Sequence, residues 1–220
     1  MRIFAALAGV LLSFSALAAD TKPATSESYL EGKDYTLLSE QVRPAVDPNK
    51  IEVAEVFAYT CPHCFHFEPL LDAWMEKQKP DVALTQIHTS WDPRMEPIQR
   101  GFYTAVALKI KDKTQLATFK AFHEQHNELK DAQAWADFLS GFGVSKADVL
   151  KTYDSFGVTS QIKQADSKTR GYKVTGTPTL VVDGRFRIQS GSGDGAHEKM
   201  LKIAEFLVDQ VRAERAVKAK

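Results

Sequence analysis

The chain has 220 residues, with 28 lysines and arginines against 28 aspartates and glutamates, and it contains two cysteines. This balance of charge provides no broad basic surface, which argues against a nucleic-acid-binding protein or one that lies on anionic membranes. A chain of this length buries a full core without disulfide bonds. The two cysteines are therefore free to do chemistry rather than to stabilise the fold.

The first 18 residues have the three parts of a secretory signal peptide. Arg2 provides a positive charge, an apolar run extends from Ile3 to Leu17, and Ala16-Leu17-Ala18 offers a small-residue cleavage site. The apolar run is too short to span a bilayer comfortably. We expect cleavage after Ala18, with cleavage after Ala19 as the alternative, export of a soluble monomer, and a polar N-terminal lead over residues 19–34.

Strand and helix patterns alternate in the next part of the chain. A short strand is predicted at Tyr35 to Leu38, a longer strand at Ile51 to Tyr59, a helix after Cys61 and a strand at Val82 to His88. Residues 93–171 show only helical spacing, in segments at 96–110, 114–128, 132–142, 146–155 and 160–171. A hairpin around Asp183-Gly184 and a helix from Ala196 to Val211 follow.

These elements predict an α/β protein with an all-helical insertion. Residues 35–92 and 172–220 would form one domain, and residues 93–171 would form the insertion. The apolar residues of the insertion are expected to build a small core of its own, from Trp135, Phe138, Leu139, Phe142, Val149, Leu150, Tyr153 and Phe156. His123 and His126, three residues apart and without companion ligands, are interpreted as part of a solvated helix face.

Both cysteines lie at the predicted turn from a strand to a helix, in the sequence Cys61-Pro62-His63-Cys64. Free backbone N–H groups and the positive end of the helix dipole favour a thiolate at such a position. His63, if protonated, adds a second positive charge beside Cys61. Pro62 suits the first helical turn, where its missing N–H has no partner anyway. The pattern predicts that Cys61 is an exposed, stabilised thiolate.

The cysteine pair has two other possible interpretations, a structural disulfide and a zinc site. A structural disulfide closing four residues would contribute roughly 2 kcal/mol, whereas one closing a loop of about 100 residues would contribute roughly 4.7 kcal/mol, so a stabilising bridge would be placed elsewhere. A zinc site could use Cys61, Cys64, His63 and His66. Closed zinc sites normally take a second pair of ligands from a distant segment, and no further cysteine exists. We therefore expect redox chemistry with no metal and no organic cofactor.

Three motifs together resemble the DsbA family of thioredoxin-like periplasmic disulfide oxidases. They are Cys61-Pro62-His63-Cys64, the Phe67-Glu68 that follows it, and Gly176-Thr177-Pro178. The resemblance covers the chain from about Tyr35 onward. It implies a thioredoxin-like fold, a cis peptide bond at Pro178, and a substrate-docking edge formed by Thr177 and Pro178 beside the cysteines.

Glu55 is an acidic residue on an otherwise apolar face of the strand before the cysteines. Burial would raise the pKa of its carboxyl group; alternatively, the side chain reaches a loop or solvent and has no role. The resemblance favours a role in catalysis, because a buried glutamate at this spacing belongs to the DsbA pattern. Gln86 stands where many members have a basic residue, so we expect Glu55 to lack its usual partner.

The resemblance implies that the protein oxidises reduced exported proteins with its Cys61–Cys64 disulfide in the periplasm. Cys61, Cys64, His63, Pro62 and Glu55 would be the catalytic residues. A quinone-linked membrane oxidase of the DsbB type would then restore the disulfide. A thioredoxin-like reductant or isomerase, and a non-enzymatic metal-binding or chaperone module, remain the alternatives.

Overall fold

The computed structural model describes residues 28–218. The predicted signal peptide and most of the predicted lead lie outside the described residues. The last residues of the lead are attached to the C-terminal helix, because Tyr29 packs on Phe206 with ring centroids 5.5 Å apart and Asp34 pairs with Lys199 at 2.7 Å. Within the described range, no helix is both long and apolar enough to cross a membrane.

Five strands form one mixed sheet in the order β1-β5-β4-β2-β3. Only β2 and β3 run parallel, and the other neighbouring strands are antiparallel. β2 is buried along its whole length, as the apolar residues on both of its faces predict. The strands are β1 (Thr36–Leu37), β2 (Ile51–Phe57), β3 (Val82–His88), β4 (Thr179–Val182) and β5 (Phe186–Gln189).

Seven α-helices lie within the described residues. They are α1 (Pro62–Met75), α2 (Glu96–Ala107), α3 (Lys111–His123), α4 (Ala132–Leu139), α5 (Lys146–Tyr153), α6 (Phe156–Gly171) and α7 (Ala196–Lys218). Helices α2 to α6 follow one another between β3 and β4 and are called the helical insertion below. Ser145 caps α5 by accepting a hydrogen bond from the Asp148 N–H at 3.0 Å.

Several predicted boundaries are wrong by a few residues. β2 ends at Phe57 and not at Tyr59, because the Tyr59 N–H donates to the His88 Nε2 at 3.1 Å instead of to a strand. α3 begins three residues earlier than predicted and ends at His123. α7 continues past Val211 to Lys218, because Arg212 and Arg215 form ion pairs with Asp81 and Asp183. An apolar pattern does not report such polar contacts.

The helical insertion does not have a core of its own. Trp135, Leu139 and Val149 are fully buried and belong to the same apolar cluster as Phe57 and Tyr59 of the sheet region. Phe156 was expected in this core, but it is 85 % exposed because it is the first residue of α6, directly after the capping Ser155. The insertion and the sheet therefore share one core, and α3 packs on α1 next to the cysteines.

Candidate active site

Cys61 lies between the end of β2 and the start of α1, at the predicted strand-to-helix turn. It is the N-cap residue of α1 and has extended backbone angles, and Pro62 occupies the first helical position. The Cys61 N–H donates to the Ala58 carbonyl at 3.0 Å, which fixes the turn. Both cysteines are free thiols. β2 ends at Phe57, and the first backbone N–H groups of α1, which have no acceptor within the helix, follow directly after Cys61.

The sulfur of Cys61 is partly exposed and is held as a thiolate. A hydrogen bond from the Cys64 thiol is the largest cause that lowers the pKa of Cys61, to about 5. The Thr177 hydroxyl and the backbone N–H groups of His63 and Cys64 lower it further, against the opposing effect of burial. The Thr177 carbonyl oxygen lies 3.4 Å from the sulfur and accepts a hydrogen bond from the neutral thiol. The donors outnumber this acceptor, so the thiolate is favoured.

Cys64, one turn further into α1, has the opposite environment. Its side chain is fully buried. Burial is the largest cause that raises the pKa of its thiol far above the ordinary value, and the nearby Cys61 and Glu55 raise it further. Cys64 therefore remains a protonated thiol whenever the protein is reduced, and its proton must be moved whenever its sulfur reacts.

Glu55 lies on β2 below the cysteines and is fully buried, so the alternative that it reaches solvent is excluded. Burial, followed by the proximity of Glu68, raises the pKa of Glu55 well above its usual range. Gln86 is the residue directly opposite on β3, and its Nε2 donates to the Glu55 Oε2 at 2.9 Å. Glu55 therefore has an amide as its hydrogen-bond partner at the position where a basic residue is usual. A basic residue is also present, because the Lys111 Nζ donates to the Gln86 Oε1 at 2.7 Å.

Glu68 is a second buried acid at the site, and the sequence analysis had noted it only as part of a motif. It follows Cys64 by one helical turn, so both side chains lie on the same face of α1. Burial raises the pKa of Glu68 to about 7. The Gln86 Nε2 lies 3.1 and 3.2 Å from its two carboxylate oxygens, and the Gln115 Nε2 donates to it at 3.3 Å.

Helix α3 of the insertion supplies the remaining polar contacts of the buried site. Lys111 and Gln115 are four residues apart and therefore share a face of α3. Gln115 accepts a hydrogen bond from the Tyr59 hydroxyl at 2.6 Å. His123, on the same helix, lies 2.8 Å from the Tyr59 carbonyl, which can only accept, so His123 donates from its Nε2. The spacing of 111, 115 and 123 could have indicated this face, but the predicted helix began at residue 114.

His123 corrects the prediction of a solvated histidine face. Its ring is half-buried and stacks on Phe65 with centroids 5.1 Å apart. His126 is exposed and lies beyond the end of α3, so the two histidines do not share a helix face. Among residues 28–218, no three His, Cys, Asp or Glu side chains are grouped so as to hold a metal ion. The zinc alternative finds no ligand set in that part of the chain.

An open groove of about 470 Å³ lies beside Cys61. His63 is exposed on the α1 side of the groove, and its ring is 6.3 Å from the ring of His197 at the start of α7. Thr177 lies at the groove next to Cys61, and the Thr177–Pro178 peptide bond is cis, as the family resemblance implied. The groove thus contains Thr177 and His63 of the predicted site, whereas Glu55 does not line it and is buried in the core.

Comparisons with known proteins agree with this geometry. Residues 90–200 match a family described as the DSBA-like thioredoxin domain. The chain is 38% identical over 190 residues to the thiol:disulfide interchange protein DsbA of Pseudomonas aeruginosa, which covers 86% of this chain and 89% of that protein. It is 33% identical over 206 residues to the DsbA of Burkholderia cepacia, with 94% and 96% covered.

Solved structures of DsbA proteins have the same fold. The crystal structure of Pseudomonas aeruginosa DsbA matches with a TM-score of 0.79 at 38% identity, covering 87% of this chain and 97% of that one. The oxidoreductase DsbA from Xylella fastidiosa matches with a TM-score of 0.78 at 31% identity, covering 84% and 98%. With its thioredoxin-like fold, its helical insertion and its paired cysteines at the start of α1, this chain belongs to the DsbA family of thiol:disulfide oxidoreductases.

Proposed function

We propose that Cys61 is the residue that exchanges disulfides with substrate proteins and that Cys64 is its internal partner. The observation that carries this assignment is the difference between the two sulfurs: one is a partly exposed thiolate, and the other is a buried thiol. A thiolate is the reactive form in thiol–disulfide exchange, and a sulfur with a low pKa is also a good leaving group. Cys61 has both properties and is the one a protein substrate can reach.

The reaction in the oxidising direction begins with the Cys61–Cys64 disulfide. A substrate thiolate attacks the sulfur of Cys61, a mixed disulfide forms, and the electron pair of the broken S–S bond goes to Cys64, which takes up a proton. A second substrate thiolate then attacks the substrate sulfur of the mixed disulfide and releases the Cys61 thiolate. The substrate leaves with a new disulfide bond, and the enzyme retains both electrons as a dithiol.

Glu55 is proposed to supply and remove the proton of Cys64. It is an acid at the end of the site where Cys64 is buried, and its charge already influences the pKa of that thiol. Its own pKa is raised by burial, so it can hold a proton at neutral pH. One of its oxygens, Oε1, has no hydrogen-bond partner and remains free for proton exchange.

Thr177 and Pro178 are proposed as the docking edge for the substrate chain. Thr177 contacts Cys61 through its carbonyl oxygen and forms part of the groove, so a peptide lying along the groove would pass the reactive sulfur. An extended peptide can be bound there through its main chain, as in strand addition. Main-chain recognition would allow many different client proteins. Pro62 would preorganise the turn, and His63 would support the thiolate from the groove side.

The cellular setting follows from the same family. We propose that residues 1–18 are removed as a signal peptide during export, that the clients are reduced proteins in the periplasm, and that a DsbB-type quinone-linked membrane oxidase restores the disulfide. The oxidising direction is supported by the low pKa of Cys61, because a stabilised thiolate favours the reduced enzyme. No organic cofactor takes part in the proposed reaction, since the cysteine pair itself carries the two electrons.

Two cysteine variants and one equilibrium test this function. Cys61→Ser should abolish oxidation of a reduced, unfolded client protein, whereas Cys64→Ala should accumulate mixed disulfides between Cys61 and the client. If Cys61→Ala traps the client and Cys64→Ala does not, the assignment is reversed. Equilibration with glutathione redox buffers should leave the pair mostly reduced under conditions that oxidise the client; a pair that stays mostly disulfide would favour the reductant or isomerase alternative.

A further inference from the structure

A single amide group connects the two buried acids of the site. The Gln86 Nε2 donates to Glu55 at 2.9 Å and to Glu68 at 3.1 Å, while the Gln86 Oε1 accepts from the Lys111 Nζ at 2.7 Å. The orientation of the amide follows from these partners, because the opposite orientation would place its oxygen against two carboxyl groups and its nitrogen against an ammonium group. Lys111 is therefore connected to both acids through one side chain.

The charges around this amide are two buried acids and one ammonium group, and that ammonium group also pairs with the exposed Asp112 carboxylate at 2.8 Å. Glu55 and Glu68 are buried, and the nearby Glu68 raises the pKa of Glu55 because two negative charges at this distance repel each other. Lys111 lowers the pKa of both acids, although it lies on the solvent side of Gln86 with 27% of its side chain exposed. An amide cannot take up a proton, so Gln86 separates the cation from the acids without neutralising either. The other titratable groups around the set are Asp72, Asp112, Tyr59, Cys61 and Cys64.

We propose that Lys111 is a positioning residue of the redox site, which acts through the Gln86 amide to hold the Glu55–Glu68 pair at one negative charge. One ammonium group compensates one carboxylate, so the second acid keeps its proton and the pair can both donate and accept a proton at neutral pH. This inference rests on the proposed role of Glu55 in moving the Cys64 proton. It assigns to the helical insertion a part in the chemistry, since Lys111 is the first residue of α3.

The proton balance explains why a single charge matters. When Cys64 leaves the disulfide as a thiolate, the protonated acid of the pair gives its proton to the sulfur. When the reduced Cys64 thiol later attacks a mixed disulfide on Cys61, the ionised acid takes that proton back. Without Lys111 the pair would keep both protons to a higher pH, and the second of these steps would lack its base.

The test measures the titration of the carboxyl groups and the rate of thiol–disulfide exchange separately in the Lys111→Met variant of the mature chain. Carbon-13 NMR of labelled glutamates should show the titration of the Glu55–Glu68 pair moved upward by about 1 pH unit, as expected for the loss of a nearby opposite charge. The release of glutathione from its mixed disulfide with Cys61, by attack of Cys64, should need a correspondingly higher pH. It should be up to about tenfold slower at pH 6, since one pH unit is a factor of ten in the ionised base.

Three controls make the result specific. Lys111→Arg should retain the wild-type titration, and Lys113→Met, at an exposed lysine on the same helix, should leave it unchanged. The double variant Lys111→Met with Gln86→Lys, which moves the positive charge to the position of the amide, should bring the titration back down. Thermal unfolding of each variant shows that the fold is intact.

The possible outcomes are distinct. A carboxyl titration that does not move in Lys111→Met, or that moves equally in Lys113→Met, would overturn the assignment of Lys111 while leaving the roles of the cysteines intact. A titration that moves without any change in the glutathione-release profile would support the assignment of Lys111 and overturn the role proposed for Glu55.

Discussion

Cys61 and Cys64 lie one helical turn apart at the start of α1. Their surroundings, called the surface end and the buried end of the site below, have opposite physical properties. At the surface end, Cys61 accepts a hydrogen bond from the Cys64 thiol, which is the largest cause that lowers the pKa of its thiol to about 5, and the Thr177 hydroxyl and two backbone N–H groups lower it further. At the buried end, Cys64 has no exposed surface, and burial together with Glu55 raises the pKa of its thiol. The surface end stabilises the Cys61 thiolate, and the buried end has to supply and remove the proton of Cys64.

The two ends depend on different parts of the fold. The surface end is built from α1 and the loop before β4, whose donors act on the sulfur directly. The buried end depends on contacts between the sheet and the helical insertion, since Gln86 lies on β3 and Lys111 and Gln115 lie on α3. The two ends meet at the hydrogen bond from the Cys64 thiol to Cys61. A change that leaves the proton on Cys64 should therefore affect one end and leave the other largely unaffected, which mutation can test.

The largest effect is expected from Glu55→Gln at the buried end. The variant keeps an oxygen that can accept from Gln86 but cannot exchange a proton, so reactions of Cys64 should slow by about 100-fold, at the lower end of the range of general acid–base catalysis. Stopped-flow measurement of glutathione release from the Cys61 mixed disulfide checks this. The pKa of Cys61, followed by the ultraviolet absorbance of the thiolate, should remain at about 5.

Glu52→Gln is the matched control for Glu55→Gln. Glu52 is also fully buried on β2, but it accepts hydrogen bonds from the Ala45 N–H and the Thr85 hydroxyl and lies 3.7 Å from Lys168, away from the cysteines. Its loss should leave the exchange rate unchanged and lower the free energy of unfolding by about 1 to 3 kcal/mol, because Lys168 loses its counter-charge. Glu55→Gln should instead preserve or raise stability at pH 7. Equal rates for Glu55→Gln and wild type would contradict the proton role of Glu55.

The sequence predicts the surface end better than the buried end. The strand, the turn, Pro62 and the order of the cysteines are local features, so residues 51–64 are enough to place the cysteine pair at the start of α1, where Cys61 is partly exposed. Glu55 was also recognised, because an acid on an apolar strand face is conspicuous. Lys111 was not recognised, because it follows Gln86 by 25 residues in the sequence. A local pattern does not reveal which distant helix packs against the site.

The apolar pattern had similar limits in the rest of the fold. It located the strands and the hairpin well, because burial on a sheet face repeats every second residue. It placed Phe156 in the core, although a residue that begins a helix can point away from its neighbours, and it ended α7 too early because the last turns are held by arginine ion pairs. The first error has a local cause, the helix start after Ser155, whereas the second occurred where contacts between distant segments decided the structure.

The next expected effect is a difference in pH dependence between the reduced and oxidised proteins. A thiol whose pKa is lowered on folding contributes stability above its unfolded value, and that contribution is lost as the pH falls through the folded value of about 5. The free energy of unfolding of the reduced protein, minus that of the oxidised protein, should therefore increase steadily from pH 5 to pH 8. Denaturant titrations of both forms at several pH values provide the measurement.

Taking this difference isolates the cysteines from other buried groups. His88, whose pKa burial lowers to about 3, and Glu68, whose pKa burial raises to about 7, change the stability of both redox forms and cancel. Cys64 has the opposite sign to Cys61, but its unfolded thiol ionises only above about pH 8. A difference that stays flat from pH 5 to 8 would mean that folding does not stabilise the Cys61 thiolate.

The smallest expected effects are at the surface end, where single donors to the Cys61 thiolate can be removed. Thr177→Val deletes the hydroxyl that lowers the pKa of Cys61, and His63→Ser deletes an exposed ring while keeping the backbone N–H that contacts the sulfur. Each should raise the pKa of Cys61 by about 1 unit or less, because hydrogen bonds and partly solvated charges each shift a pKa by this order.

His66→Ser is the control, because this exposed histidine is not among the main groups that lower the pKa of Cys61, and it should leave that pKa unchanged. Absorbance titration of the reduced variants gives the values, and carboxyl NMR should show the Glu55–Glu68 pair unmoved in all three. If His63→Ser titrates like wild type, the backbone N–H and not the imidazole supports the thiolate, and if the carboxyl groups shift as well, the two ends of the turn are not independent.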